Sequence, residues 1–140
     1  MLRPYRPDDI DAVIETCYLA QQLSHPFLSA EFLAQEMIKT RDTYLPNSET
    51  WIYEKDGKLR GFIALVGNEV GGLFVHPDDH GKGFGKALMD KAVELRGSVY
   101  LDVFKENSLG RAFYKRYGFR LSHEYVHEET GNMLLRLEFG

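Results

Sequence analysis

Residues 50–77, TWIYEKDGKLRGFIALVGNEVGGLFVHP, hold three apolar runs with the composition of β-strands. Asp56-Gly57 and Gly67-Asn68 separate them. Asp-Gly between two such runs is a hairpin signal, because the tight turn needs backbone conformations that these residues reach cheaply. The second break also falls directly between apolar runs. Residues 49–76 are therefore expected to form a three-stranded antiparallel meander, onto which the rest of the chain must pack.

The third run, GGLFV, leads straight into HPDDHGKGFGKALMDKAVEL, where three glycines and two lysines occupy six positions before a helix-like pattern. Two phosphate-binding motifs can be tested by counting. A Walker A loop needs four residues between its first glycine and Gly-Lys, then Ser or Thr; Gly81 to Gly85 leaves three, and Ala87 follows Lys86. The dinucleotide pattern needs a third glycine where Lys86 stands. Both fail. What remains is a glycine-cleared helix start: Gly81, Gly83 and Gly85 allow close approach, and first-turn N–H groups have no partner inside the helix. With the helix dipole and the charges of Lys82 and Lys86, that is a candidate anion site. The alternative is a plain strand-to-helix turn with solvated lysines.

Elsewhere, LRPYR reads as a first strand. Ile10, Val13, Ile14, Cys17 and Ala20 recur at helical spacing behind Pro7 and two aspartates, which suit a first helical turn. Ser29 with Glu31 opens a second helix, AEFLAQEMIKTRDTYL, ended by Pro46-Asn47. Residues 83–96 are helical, SVYLDVF is a strand, NSLGRAFYKRYG is a short helix closed by Gly118, and the remainder is a hairpin turning near Thr130-Gly131-Asn132. The order β-α-α-β-β-β-α-β-α-β-β describes a mixed α/β domain, and residues 1–140 suffice for one core.

Charge and cysteine content narrow the function classes. A formal charge of −4 argues against non-specific nucleic-acid binding and suits a cationic partner such as an amine. The single cysteine, Cys17, excludes an internal disulfide and a multi-cysteine zinc site, which suits a reducing compartment; no metal is expected. Neither a membrane span nor the apolar core of a signal peptide is present, and the cytoplasm is the expected compartment.

The segment GGLFVHPDDHGKGFGKALM resembles the signature of the GCN5-related N-acetyltransferases (GNAT), a hydrophobic strand followed by Arg/Gln-x-x-Gly-x-Gly/Ala opening a helix. Here the pattern is His80-Gly81-Lys82-Gly83-Phe84-Gly85, with His80 at a position usually held by Arg or Gln. A second landmark of that family, an asparagine before a helix that carries a tyrosine and ends near Gly-Phe, is matched by Asn107 and AFYKRYGF, with Tyr114 at the tyrosine position. The element order is similar along nearly the whole chain.

The resemblance implies an acyl-CoA N-acyltransferase fold in which acetyl-CoA lies in a split between two parallel strands, here Glu69–Val75 and Val99–Val103. It implies pantetheine binding along Leu73, Phe74 and Val75, and pyrophosphate binding by His80, Gly81, Lys82, Gly83, Phe84, Gly85 and Lys86. Asn107 and Tyr114 would complete the cosubstrate site. The implied reaction is acetyl transfer to a primary amine of a small molecule or protein by direct attack in a ternary complex. Tyr114 would protonate the departing thiolate, with Tyr117 in reserve. Glu69 is the candidate base, with His76 or no dedicated base as alternatives. His25, Phe27 and Leu28, between the first two helices, would border the acceptor, although Phe27 and Leu28 equally suit a staple before the Ser29 cap. The protein would act as a monomer or homodimer. The competing reading is a CoA-binding sensor without turnover, which has no need of a thiolate acid.

Overall fold

The computed structural model describes residues 1–140, and the meander is present. Strands β2 (Glu49–Lys55), β3 (Lys58–Val66) and β4 (Glu69–Val75) pair antiparallel, Ile52 opposite Phe62 and Phe62 opposite Phe74. Asp56 and Gly57 both take positive φ, 54° and 75°, as the tight turn demands. The edge strand β1 (Leu2–Pro4) joins β2, and β5 (Val99–Phe104), β6 (Arg120–Val126) and β7 (Met133–Phe139) complete a seven-stranded sheet in the order β1-β2-β3-β4-β5-β7-β6.

Helices cover both faces. Ile52 and Phe62 point to one face and pack with Val13 and Cys17 of α1 (Ile10–Ser24) and Met37 of α2 (Ala30–Lys39). Ile63, Leu65, Leu101 and Leu137 point to the other and pack with Leu88, Met89 and Ala92 of α3 (Phe84–Arg96). The short α4 (Ser108–Tyr117) lays Phe113, Tyr114 and Tyr117 on that same core. No helix is long and apolar enough to cross a membrane.

The element order agrees with the sequence reading, and one boundary differs. The second helix does not run unbroken to Pro46. It leaves α geometry after Lys39 for a wide π turn over Thr40–Tyr44 and a 3-10 turn over Leu45–Asn47. Thr40 Oγ1 donates to the Glu36 carbonyl at 2.8 Å, the back-bonding that loosens a helix, and Pro46 lacks the N–H to continue it.

The one parallel contact of the sheet sets the site. β4 and β5 register only through Glu69 opposite Tyr100, where Tyr100 N–H donates to the Asn68 carbonyl at 3.1 Å. Beyond that bridge the strands have no paired residues, so the sheet is split from Gly71 onward. A register shift between Ala64 and Leu65 leaves Gly71 as the extra residue of a bulge in β4, at the start of the split.

Candidate active site

Hydrogen-bond alternation along β4 decides which groups face the split. His76 N–H donates to the Arg60 carbonyl of the β3 side at 2.7 Å. Counting back in twos, Phe74 and Gly72 also turn their backbone toward β3, so Leu73 and Val75 turn theirs toward the split. Leu73 and Val75 line a cleft of about 700 Å³ that opens there, with Ala20 and Ser24 of α1 on one wall and Tyr114 of α4 on another.

At the mouth of the cleft the chain turns from β4 into α3. Gly81 and Gly83 sit at φ 83° and 88°, left-handed conformations that a side chain would strain. Gly85 is small for a different reason: a Cβ there would lie 3.2 Å from the Phe113 ring of α4. The N–H groups of Gly81, Gly83, Phe84, Gly85 and Lys86 find no acceptor within the chain, whereas Lys82 N–H turns back to the Asp79 carbonyl and Ala87 N–H to that of Gly83. Unpaired N–H groups in the loop and first turn at the positive end of a thirteen-residue helix suit a phosphate chain.

His80, the departure from the usual signature, uses its side chain locally. Its Nε2 lies 2.9 Å from the Val75 carbonyl, donating to it and latching the loop onto the end of β4. Behind the loop, Asp79 is buried and paired with Lys82 at 2.9 Å and with the Arg60 guanidinium. Burial alone would raise the Asp79 carboxyl; Lys82 and Arg60 outweigh it and hold the group below the usual carboxylate range. Lys82 is thus occupied by Asp79 and does not line the cleft, while Lys86 does, its ammonium 2.8 Å from Asp90. Asp90 also accepts from the Tyr117 hydroxyl at 2.7 Å. The Lys86 hydrogen bond, then that of Tyr117, lowers the Asp90 carboxyl.

Tyr114 reaches the cleft through packing. Phe113 and Phe119 meet its ring edge-on at 5.4 Å each. Burial pushes its phenol up to about 12. That alters the expected role. A thiol ionises near 8.5, so a phenol this weak keeps its proton at neutral pH and is available as a hydrogen-bond donor to a group in the cleft. Burial and the Asp90 contact raise Tyr117 as well, and its hydroxyl is committed to Asp90.

Several expected residues lie off the cleft lining. Glu69 stands at the closed end of the split, beside the Tyr100 bridge. His76 accepts the Asp78 N–H at 3.2 Å and closes the turn after β4. Asn107 caps α4, its Oδ1 accepting from Gly110 N–H at 2.8 Å. His25 is buried behind the cleft, and burial lowers its imidazole to about 4. Leu28 is buried, as a staple requires, while Phe27 is half-exposed and packs edge-on against Phe104 at 5.5 Å. Sequence reasoning missed Asp79, Asp90 and Arg116. For Asp90 a helical signal existed, since Lys86 and Asp90 are one turn apart.

Residues 46–121 match the family model for the acetyltransferase (GNAT) domain. The chain belongs to the GNAT family. It is 31% identical over 122 residues to the peptidyl-lysine N-acetyltransferase YiaC of Escherichia coli, covering 86% of this chain and 84% of that one. Over 123 residues it is 28% identical to the peptidyl-lysine N-acetyltransferase YjaB of the same organism, with 86% and 82% covered. The solution structure of apo YjaB from E. coli superposes with a TM-score of 0.88 at 25% identity, over 99% of this chain and 96% of that one. The PaiA N-acetyltransferase of Thermoplasma acidophilum, solved in complex with coenzyme A, shares the fold with a TM-score of 0.82 at 18% identity, over 97% and 96%. This GNAT protein is an acetyl-CoA-dependent N-acetyltransferase, and the reading as a sensor without turnover is not favoured.

Proposed function

We propose that this GNAT enzyme acetylates the ε-amine of lysine in peptides or proteins. The observation that carries the proposal is the likeness to YiaC and YjaB, both named for that acceptor, along more than four-fifths of each chain. Physical features agree with it. The net charge of −4 suits a cationic acceptor. Phe27, Phe104 and His127 form a partly open aromatic cluster, centroids 5.3–5.5 Å apart, against which an acceptor's alkyl stem would pack. The buried, unpaired Cys17 fits a reducing cytoplasm.

Acetyl-CoA, when bound, supplies the activated acetyl thioester. In the proposal, Leu73 and Val75 offer backbone groups along the pantetheine arm, and the Leu73 N–H is placed to stabilise charge on the acyl oxygen. The N–H groups of Gly81, Gly83, Phe84, Gly85 and Lys86 hold the pyrophosphate, with Lys86 adding charge. His80 holds that loop in shape. Tyr114 keeps its proton for the leaving sulfur. Glu69 and His76, off the cleft lining, are given no role.

The test is free-thiol release from acetyl-CoA across matched acceptors: lysine peptides, the same peptides with lysine replaced by norleucine, and small polyamines. Turnover that requires the lysine supports the proposal. Turnover on polyamines alone would move the acceptor to small molecules.

A further inference from the structure

A chain of buried polar side chains crosses behind the cleft from α1 to α4. Gln21 Nε2 lies 3.3 Å from Cys17 Sγ, and Gln21 Oε1 lies 3.3 Å from His25 Nδ1. His25 Nε2 lies 3.2 Å from Asn107 Nδ2, and Asn107 Oδ1 accepts from Gly110 N–H at 2.8 Å. Only one assignment of protons satisfies the last three contacts. Gly110 N–H donates to Oδ1, which leaves the Asn107 amide nitrogen as the donor to Nε2. Nε2 is then the bare nitrogen, and Nδ1–H donates to Gln21.

His25 and Asn107 are 82 positions apart, and each is only 8% exposed. Each sits one helical turn or less from groups that line the cleft: Ser24 beside His25, Leu109 and Gly110 beside Asn107. Gly110 is itself shaped by the contact, because a Cβ there would lie 2.6 Å from Asn107 Nδ2. Phe27 and Phe104 meet the imidazole edge-on at 5.6 and 5.2 Å. The imidazole therefore joins the loop between the first two helices to the N-cap of the helix that carries Tyr114.

We propose that His25 is a positioning residue: as a neutral hydrogen-bond acceptor it orients the Asn107 amide, and through that cap it sets where α4 holds Tyr114 over the split. A cap left to rotate lets the first turn of a ten-residue helix shift, and small displacements of an acting group cost large factors in rate. The inference rests on the reading of Tyr114 as the hydrogen-bond donor to the departing sulfur.

The test is a double-mutant cycle with kcat and acetyl-CoA affinity both measured. His25→Ala removes the acceptor. Asn107→Ser keeps a capping oxygen but loses the donor to His25. His25→Gln restores a carbonyl that accepts from Asn107. Both His25→Ala and Asn107→Ser are expected to lower kcat by about tenfold or more while acetyl-CoA affinity stays within about twofold. The double variant should lose no more than the worse single, and His25→Gln should recover most of the rate. Losses that multiply in the double variant, or His25→Gln as slow as His25→Ala, would overturn the proposal. Should His25→Ala fail to fold, Asn107→Ser decides alone, and wild-type kcat in that variant overturns it. Tyr114→Phe in the same assay separates the two readings: full kcat there removes the role of the Tyr114 hydroxyl at sulfur, whereas the His25–Asn107 coupling is judged by the cycle.

Discussion

Acidification should unfold this protein partly through a single imidazole. Burial beside the rings of Phe27 and Phe104 lowers His25 in the folded chain to about 4, against an ordinary value of 6.5. Below pH 6.5 the unfolded chain takes up a proton that the folded chain refuses. Stability must therefore fall with pH across the window from 6.5 down to about 4, and the loss is complete below that. At about 1.4 kcal/mol per pH unit the whole gap is worth about 3 kcal/mol, of which about 2.5 kcal/mol is lost between pH 7 and pH 4.5. Asp9, Asp79 and Asp90 ionise below their ordinary values and also withdraw stability in acid, so the comparison needs a reference that keeps them. His25→Gln keeps them and does not titrate. Urea unfolding of both proteins at the two pH values should show the wild type losing about 2.5 kcal/mol more than the variant. Parallel losses in the two proteins would refute the argument.

Three further perturbations follow from the geometry. Tyr114→Phe should lower kcat by about a hundredfold or more and leave acetyl-CoA affinity nearly unchanged, measured by steady-state kinetics beside calorimetry. Gly83→Ala forces a side chain into φ 88°, so it should cost about 1–2 kcal/mol in thermal unfolding and weaken acetyl-CoA binding more than tenfold; unchanged affinity would remove the cradle assignment. Arg60→Met leaves the buried Asp79 with only Lys82, and chemical denaturation should show a loss of about 3 kcal/mol.

The sequence showed most of the fold and part of the site, and the division has a physical basis. Strands of the meander and caps such as Ser29 are set by neighbours a few residues away, and the structure places the Ser29 hydroxyl 3.0 Å from Phe32 N–H as expected. The glycine segment was legible for the same reason, although its glycines divide: Gly81 and Gly83 serve backbone conformation, and Gly85 serves contact with a helix that follows later in the chain. The π turn after Lys39 was not visible, because its residues form helices readily and only the detailed hydrogen bonding distinguishes it. Lys82 and Lys86 look equivalent in sequence. A buried Asp79, held in turn by Arg60 from β3, separates them. His25 and Asn107 were expected in separate roles, one bordering the acceptor and the other at the cosubstrate, and nothing in the sequence pointed to their contact with each other. Their contact spans 82 positions, a distance over which no local pattern operates.

The most direct measurement is mass spectrometry of an N-terminally blocked peptide carrying one lysine, incubated with the enzyme and acetyl-CoA. The account predicts one acetyl group on the lysine ε-nitrogen, released thiol in equal amount, and loss of both with Gly83→Ala at low acetyl-CoA. Thiol release without acetylated peptide, or acetylation that proceeds undiminished in the Gly83 variant, would contradict it.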